Sequence, residues 1–383
     1  MTQDKSLPRL DICEKPGEAC ANQSGNPTMG DIIAERLSRR DLAKGLLAVS
    51  ALSAIVPEKA FGAPPQPLLP SNPTPSFRFP ELAAGFDETH HVAAGYHANV
   101  LIRWGDKVVP GAPEFDVQNQ SPAAQAEQFG YNNDFIGYIP LKSHLTGEEI
   151  HSSKHGLLAV NHEYTDADLM LPVSSPLTQV IADIEMAAHG GSVLEVRKQD
   201  GKWSVVPGSP YARRITATTE IHISGPAKGH AKLKTSADPE GAKVFGMLNN
   251  CAGGITPWGT WLTCEENFDD YFIDPSSSLN GHPNEIAFKR YGVPGSSFQW
   301  GNFYSRFDIG KEPNEANRFG WVVEIDPLDP NSKPVKRTAL GRFKHEGAET
   351  ILNRDGRLVI YSGDDERFDY VYKFVTRDKV DRL

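Results

Sequence analysis

Cysteine is scarce in this chain, four in 383 residues, and no two of them stand at C-x-x-C spacing. That excludes zinc-finger, iron–sulfur and haem-attachment patterns. There is no G-x-S-x-G, no G-x-x-x-x-G-K-[ST], no G-x-G-x-x-G and no H-E-x-x-H. A serine nucleophile elbow, a P-loop, a dinucleotide fingerprint and a zincin helix are therefore not expected. Positive charge is also short: 39 Lys and Arg stand against 49 Asp and Glu, a net charge of -10. Binding nucleic acid takes a basic stripe that displaces counterions, so nucleic acid is not an expected partner. Nor does any apolar run reach the length of a permanent membrane span.

What is present begins with an export address. Ser38-Arg39-Arg40-Asp41-Leu42-Ala43-Lys44 fits the twin-arginine pattern. An apolar run, Gly45 to Val56, follows, then Pro57 and the small residues of Ala60-Phe61-Gly62-Ala63. Residues 1–62 read as a signal peptide with a long polar n-region, cut near 62. The expected partner is the twin-arginine machinery, and the expected destination is periplasmic or secreted. That route carries folded proteins, which favours a protein that acquires its cofactor before crossing. Residues 63–80 are Pro-rich and read as an extended lead-in. Cys13 and Cys20 fall in the leader, leaving Cys251 and Cys264 in the mature part.

From residue 81 onward the apolar runs are short, β-branched or aromatic, and bounded by Gly, Asp, Asn or Pro, as strands are. Tyr96–Arg103, Gly156–Val160, Ser192–Arg197, Trp203–Val206, Trp321–Ile325, Leu358–Tyr361 and Tyr370–Val375 read this way. Leu177–Ala188 has a helical rhythm, and Glu114–Gly130 reads as an insert. A loose repeat links Gly156–Glu163, Gly259–Glu266 and Gly356–Glu366, each an apolar strand that starts at Gly and stops at acids. A second strand follows in each unit, at Gly191–Val196, Gly320–Ile325 and Asp369–Val375. An all-β propeller accounts for this, because equivalent strand ends of several blades converge on one channel. A β-sandwich with solvent-facing acids is the alternative.

Five residues become candidate metal ligands: Glu163, Cys251, Glu266, Glu346 and Asp364. Asn161-His162-Glu163 puts a carboxylate just past a strand. Cys251 sits between Asn249-Asn250 and Gly253-Gly254, at the mouth of a Gly-rich turn, and in isolation reads more readily as an inert buried thiol than as a ligand. Strand alternation turns only one of Glu265 and Glu266 to the channel, Glu266 in this reading, leaving Glu265 as a structural partner. Lys344-His345-Glu346 and the acidic run Asp364-Asp365-Glu366-Arg367-Phe368-Asp369 add more carboxylates, whose density suits calcium. A thiolate together with carboxylates suits a mixed site for a transition metal and a hard cation.

The leader, Asn161-His162-Glu163, the Asn249–Asn267 run, Phe343–Ala348 and Gly363–Tyr370 together resemble the PhoX-type alkaline phosphatases. The resemblance implies a six-bladed propeller with iron (Fe3+) and calcium in its channel. It implies hydrolysis of small phosphomonoesters outside the cytoplasm to release inorganic phosphate. It also implies that Cys251 is the thiolate ligand of iron, Glu266 a carboxylate ligand of the same cluster, and Glu346, Asp364 and Glu163 further metal ligands. Residues 81–383 are then expected to be the N-terminal portion of an incomplete propeller, with further blades and a phosphate-gripping arginine beyond Leu383. A calcium-dependent propeller hydrolase of the lactonase kind, which leaves Cys251 without a role, and a non-catalytic binding propeller are the alternatives.

Overall fold

A computed structural model describes residues 82, 83, 85–142, 151–172 and 177–380. The expected leader (1–62) and Pro-rich lead-in (63–80) lie outside the described residues. The chain divides into Met1–Asn99 and Val100–Leu383. In the first, the exposed Asp87 carboxylate accepts hydrogen bonds from the Thr89 amide and hydroxyl and pairs with His91 at 2.8 Å.

The second unit holds three sheets. The first contains β1 (Asn133–Lys142), β2 (His151–His162), β3 (Gly190–Gln199), β4 (Lys202–Val205) and β5 (Arg213–Ile215). The second contains β6 (Glu220–Ser224), β7 (Lys243–Phe245), β8 (Asn250–Ile255), β9 (Trp261–Glu265), β10 (Val322–Ile325) and β11 (Val335–Arg337). The third is β12 (His345–Leu352), β13 (Arg357–Asp364) and β14 (Val371–Lys379). One antiparallel meander recurs in each: β1-β2-β3, β8-β9-β10 and β12-β13-β14. Its middle strands are the three repeats read in the sequence, and its third strands are the second set. Middle strands flanked on both sides bury both faces, so β9 is buried at all five positions.

The first strands, β1, β8 and β12, meet one another between sheets, and β2 and β9 also reach the first strand of the next sheet. Their approach is close enough to require glycine. A Cβ at Gly254 on β8 would overlap the Ala348 carbonyl of β12, and one at Gly137 on β1 would lie 2.7 Å from Ile255. Gly253-Gly254 is therefore strand, selected for close packing of blades, and not a Gly-rich turn. The three sheets are propeller blades whose ring is not closed among the described residues.

A long excursion between β9 and β10 bonds to Asp183 and Glu185 on one side and to Lys344 and Asp369 on another. It carries the helix Glu285–Tyr291, which ends at Gly292 with a left-handed φ of 76°. Its rings, among them Phe268, Tyr271, Phe272, Trp300 and Phe307, are fully buried, each contributing roughly 1.5–3 kcal/mol by area. The helix expected at Leu177–Ala188 is present as Gln179–Ala188, capped by the Thr178 hydroxyl. Tyr96–Arg103, expected as a strand, forms none, because it has no ladder partner among the described residues.

Candidate metal centre

The same register irregularity marks the first strand of every blade. Between Asn133 and Ile136, β1 advances three residues while β2 advances two, from His162 to Val160. The same three-against-two step occurs at Asn250–Gly253 opposite Glu265–Thr263, and at Glu346–Glu349 opposite Gly363–Tyr361. Each is a one-residue bulge, a device that re-aims side chains at the end of a ladder.

Register also defines equivalent positions. Asn133 pairs His162, Asn250 pairs Glu265, and His345 pairs Asp364. One step further on each strand gives two sets of three: Asp134, Cys251 and Glu346 on the first strands, and Glu163, Glu266 and Asp365 just past the second. Carboxylate oxygens of Glu266, Glu346 and Asp365 lie within 4.8 Å of one another. Cys251 and Glu266 are buried at the base, whereas Asp134, Glu346 and Asp365 are exposed at the mouth. The Cys251 thiol donates to the His345 carbonyl at 3.5 Å and lies close enough to Glu266 for the two to perturb each other.

The electrostatics are those of acids without counter-charge. Burial pushes Glu266 up to about 8, helped by the hydrogen bond its protonated carboxyl donates to Asp365 and by the charges of Glu346 and Glu163. Burial likewise raises Glu163 to about 7, with Asp134 and Glu346 adding repulsion. Glu346 is raised by burial and by Asp365. Burial and the neighbouring Glu266 drive the Cys251 thiol well above its ordinary range. Among the described residues no lysine or arginine forms an ion pair with Glu163, Glu266, Glu346 or Asp365.

Over residues 77–383 the chain matches the family described as Alkaline phosphatase PhoX. It belongs to that family. Among solved structures it is similar to Pseudomonas fluorescens PhoX in complex with vanadate, a transition state analogue. The two are 46% identical with a TM-score of 0.73, over 79% of this chain and 51% of that one. The chain thus spans about half the length of the PhoX structure it matches. No curated protein matches it.

Of the five residues singled out in the sequence, Glu163, Cys251, Glu266 and Glu346 come together in this PhoX-family chain. Asp364 does not. Its equivalent in the second blade is Glu265, and both turn away from the cluster. Asp364 lies 3.6 Å from Arg290, and its carboxyl is raised to about 6 by burial and by Asp369. Asp365 takes the place expected for Asp364. The third repeat is two residues longer than the others between its Gly and its channel-facing acid. Asp134 was missed because the repeat was read on second strands. Its signal was the pairing of a polar residue with a donor at the head of each first strand: Asn133-Asp134, Asn250-Cys251, His345-Glu346.

Glu265 is the buried structural acid. Lys336 Nζ reaches its two oxygens at 2.8 and 3.0 Å, and the amides of Leu248 and Trp321 donate at 3.0 and 3.1 Å. The donor set facing the channel fits cations: clustered oxygens for a hard ion, and one sulfur for a softer one.

Proposed function

We propose that this chain forms part of a metal-dependent phosphomonoesterase, exported folded by the twin-arginine route and acting outside the cytoplasm. Cys251 and Glu266 at the base are assigned to iron, and the exposed Asp134, Glu346 and Asp365, with Glu163, to calcium. The observation that carries the reading is the uncompensated charge. Once ionised, Glu163, Glu266, Glu346 and Asp365 repel a phosphate ester, so such a substrate fits here only with cations between. Bound cations supply the positive charge that draws in phosphoryl oxygens and stabilises a leaving alkoxide, with no serine nucleophile required.

The chain's own residues do the rest. Bulges carry Asp134 and Cys251 and begin just after Glu346, and the short reach from each second strand holds Glu163, Glu266 and Asp365 opposite them. Glu266 and Glu163 keep protons near neutrality in the metal-free protein and release them when a cation arrives. Water is excluded at the Cys251 end and admitted at the mouth, matching a small ester that enters from solvent. Among the described residues no helix is long and apolar enough to cross a membrane.

The test combines elemental analysis of the purified protein with turnover of p-nitrophenyl phosphate before and after chelation. Iron and calcium bound, with hydrolysis lost on chelation and restored by both ions, is the expected result. Hydrolysis that survives complete metal removal ends the proposal, as does a protein that binds neither ion.

A further inference from the structure

Asn161 opens the Asn161-His162-Glu163 run, is fully buried, and donates no atom to the cluster. Its amide nitrogen nonetheless crosses from the first blade to the second. Nδ2 donates to the Cys251 carbonyl and, at 3.0 Å, to the Ala252 carbonyl. Those are the two residues of the β8 bulge, facing Cys264 alone across the ladder. Oδ1 accepts from the Thr263 hydroxyl at 2.8 Å, and that hydroxyl accepts from Asn250 Nδ2 at 3.0 Å. One side chain thus satisfies both bulge carbonyls and is itself locked by the strand beside them.

In the next blade packing stands at the same position. By register, Cys264 occupies in β9 the place that Asn161 occupies in β2, one step before the paired Glu265 and His162. Cys264 and Ala348, a residue of the β12 bulge beside Glu346, lie in one buried apolar cluster. We propose that Asn161 is the positioning residue that fixes Cys251, while Cys264 braces the following bulge by packing alone. The second strand of the first blade thus clasps the bulge of the second, so Cys251 is set relative to Glu163 before any cation binds. Leaving two buried carbonyls unpartnered frees the bulge to relax, and Cys251 with it. This deepens the assignment of Cys251 as a donor and rests on it for the metal readout, though not for the thiol readout.

The experiment uses the full chain carrying Asn161→Ala, with Thr263→Val as a milder variant that unlocks Asn161 Oδ1. Asn284→Ala removes a buried asparagine of the β9–β10 excursion, bonded there to Pro313 and Asn314, and serves as the control. Chelated protein is labelled with a thiol reagent, and peptide mapping separates Cys251 from the other cysteines. Labelling of Cys251 is expected about tenfold faster in Asn161→Ala, less so in Thr263→Val, and at the wild-type rate in Asn284→Ala. Cobalt(II) added to each protein reports a thiolate-to-metal charge-transfer band, expected to fall by about half or more in Asn161→Ala. Wild-type labelling and a wild-type band in a folded Asn161→Ala overturn the inference, as does equal acceleration in Asn284→Ala. If Asn161→Ala does not fold, Thr263→Val decides on the same two readouts. Absence of the band in wild type refutes Cys251 as a metal donor, while the labelling comparison still decides the positioning role.

Discussion

Glu265 and Glu266 are neighbours in sequence, both buried, and they live in opposite electrostatic worlds. Glu265 faces into its own blade and meets Lys336 and two backbone amides. Glu266 faces the channel and meets Asp365, Glu346, Glu163 and a thiol. The first blade shows the same division, with His162 turned back onto Ser192 at 2.7 Å while Glu163 faces the channel. In the third, Asp364 turns to Arg290 and Asp365 to the cluster. The lesson is that acid density does not mark the site; the missing counter-charge does. Three ways of breaking that contrast follow, ordered by the size of the effect.

The largest effect is expected on the compensated side. Lys336 is completely buried, and burial lowers it to about 8 against the pull of Glu265. Lys336→Met leaves the Glu265 carboxylate buried without its cation, a loss of about 3–5 kcal/mol. Chemical denaturation should show that loss, and adding Glu265→Leu to Lys336→Met should recover much of it. A Lys336→Met protein as stable as wild type removes the claim that Glu265 is held by compensation.

On the uncompensated side the sign reverses. Glu266 and Glu163 titrate near 8 and 7 in the folded chain, above the 4.5 of a free glutamate. The folded state therefore holds more protons than the unfolded one between those values. Their contribution to stability is complete below about 4.5 and is lost as pH rises through 7 and 8. Chelated protein should melt several degrees lower at pH 9 than at pH 6, by calorimetry, and metal should abolish the difference. Glu266→Gln should flatten that pH dependence and raise the alkaline melting temperature, while weakening cation binding on the order of a hundredfold. A chelated protein whose melting temperature is unchanged from pH 6 to 9 contradicts the picture of repelling carboxylates.

How much of this was legible beforehand divides along the same line. The meander was visible, because β2, β9 and β13 each carry an apolar run bounded by Gly and acids. Alternation correctly separated Glu265 from Glu266, since one step along a strand is one change of face. It could not place Asp364 and Asp365, because register depends on hydrogen-bond pairing with His345, and no pattern within β13 reveals that. Asp134 was hidden for the same reason: a bulge is a relation between two strands. Asn161's part in the site was invisible too, its partners lying 90 residues away on another blade. The pairing of Glu265 with Lys336 joins residues 71 apart and had no local signal at all.

The finest distinction lies between Asp364 and Asp365, adjacent residues of the same charge. Asp364 shares Arg290 with Asp369, at 3.6 and 2.6 Å respectively, and Arg290 is itself substantially exposed. Asp364→Asn therefore leaves Arg290 its shorter partner and should cost under about 1 kcal/mol, since a screened pair contributes little. Its cation affinity should stay within about twofold of wild type, because it acts on the cluster only through that distant pair. Asp365→Asn removes one of three carboxylates whose oxygens lie within 4.8 Å of one another, and affinity should fall about tenfold or more. Titrating both chelated variants with calcium by calorimetry separates the two positions. Equal losses would mean that register is not what selects the ligand, and that the acidic run acts only as a diffuse negative field.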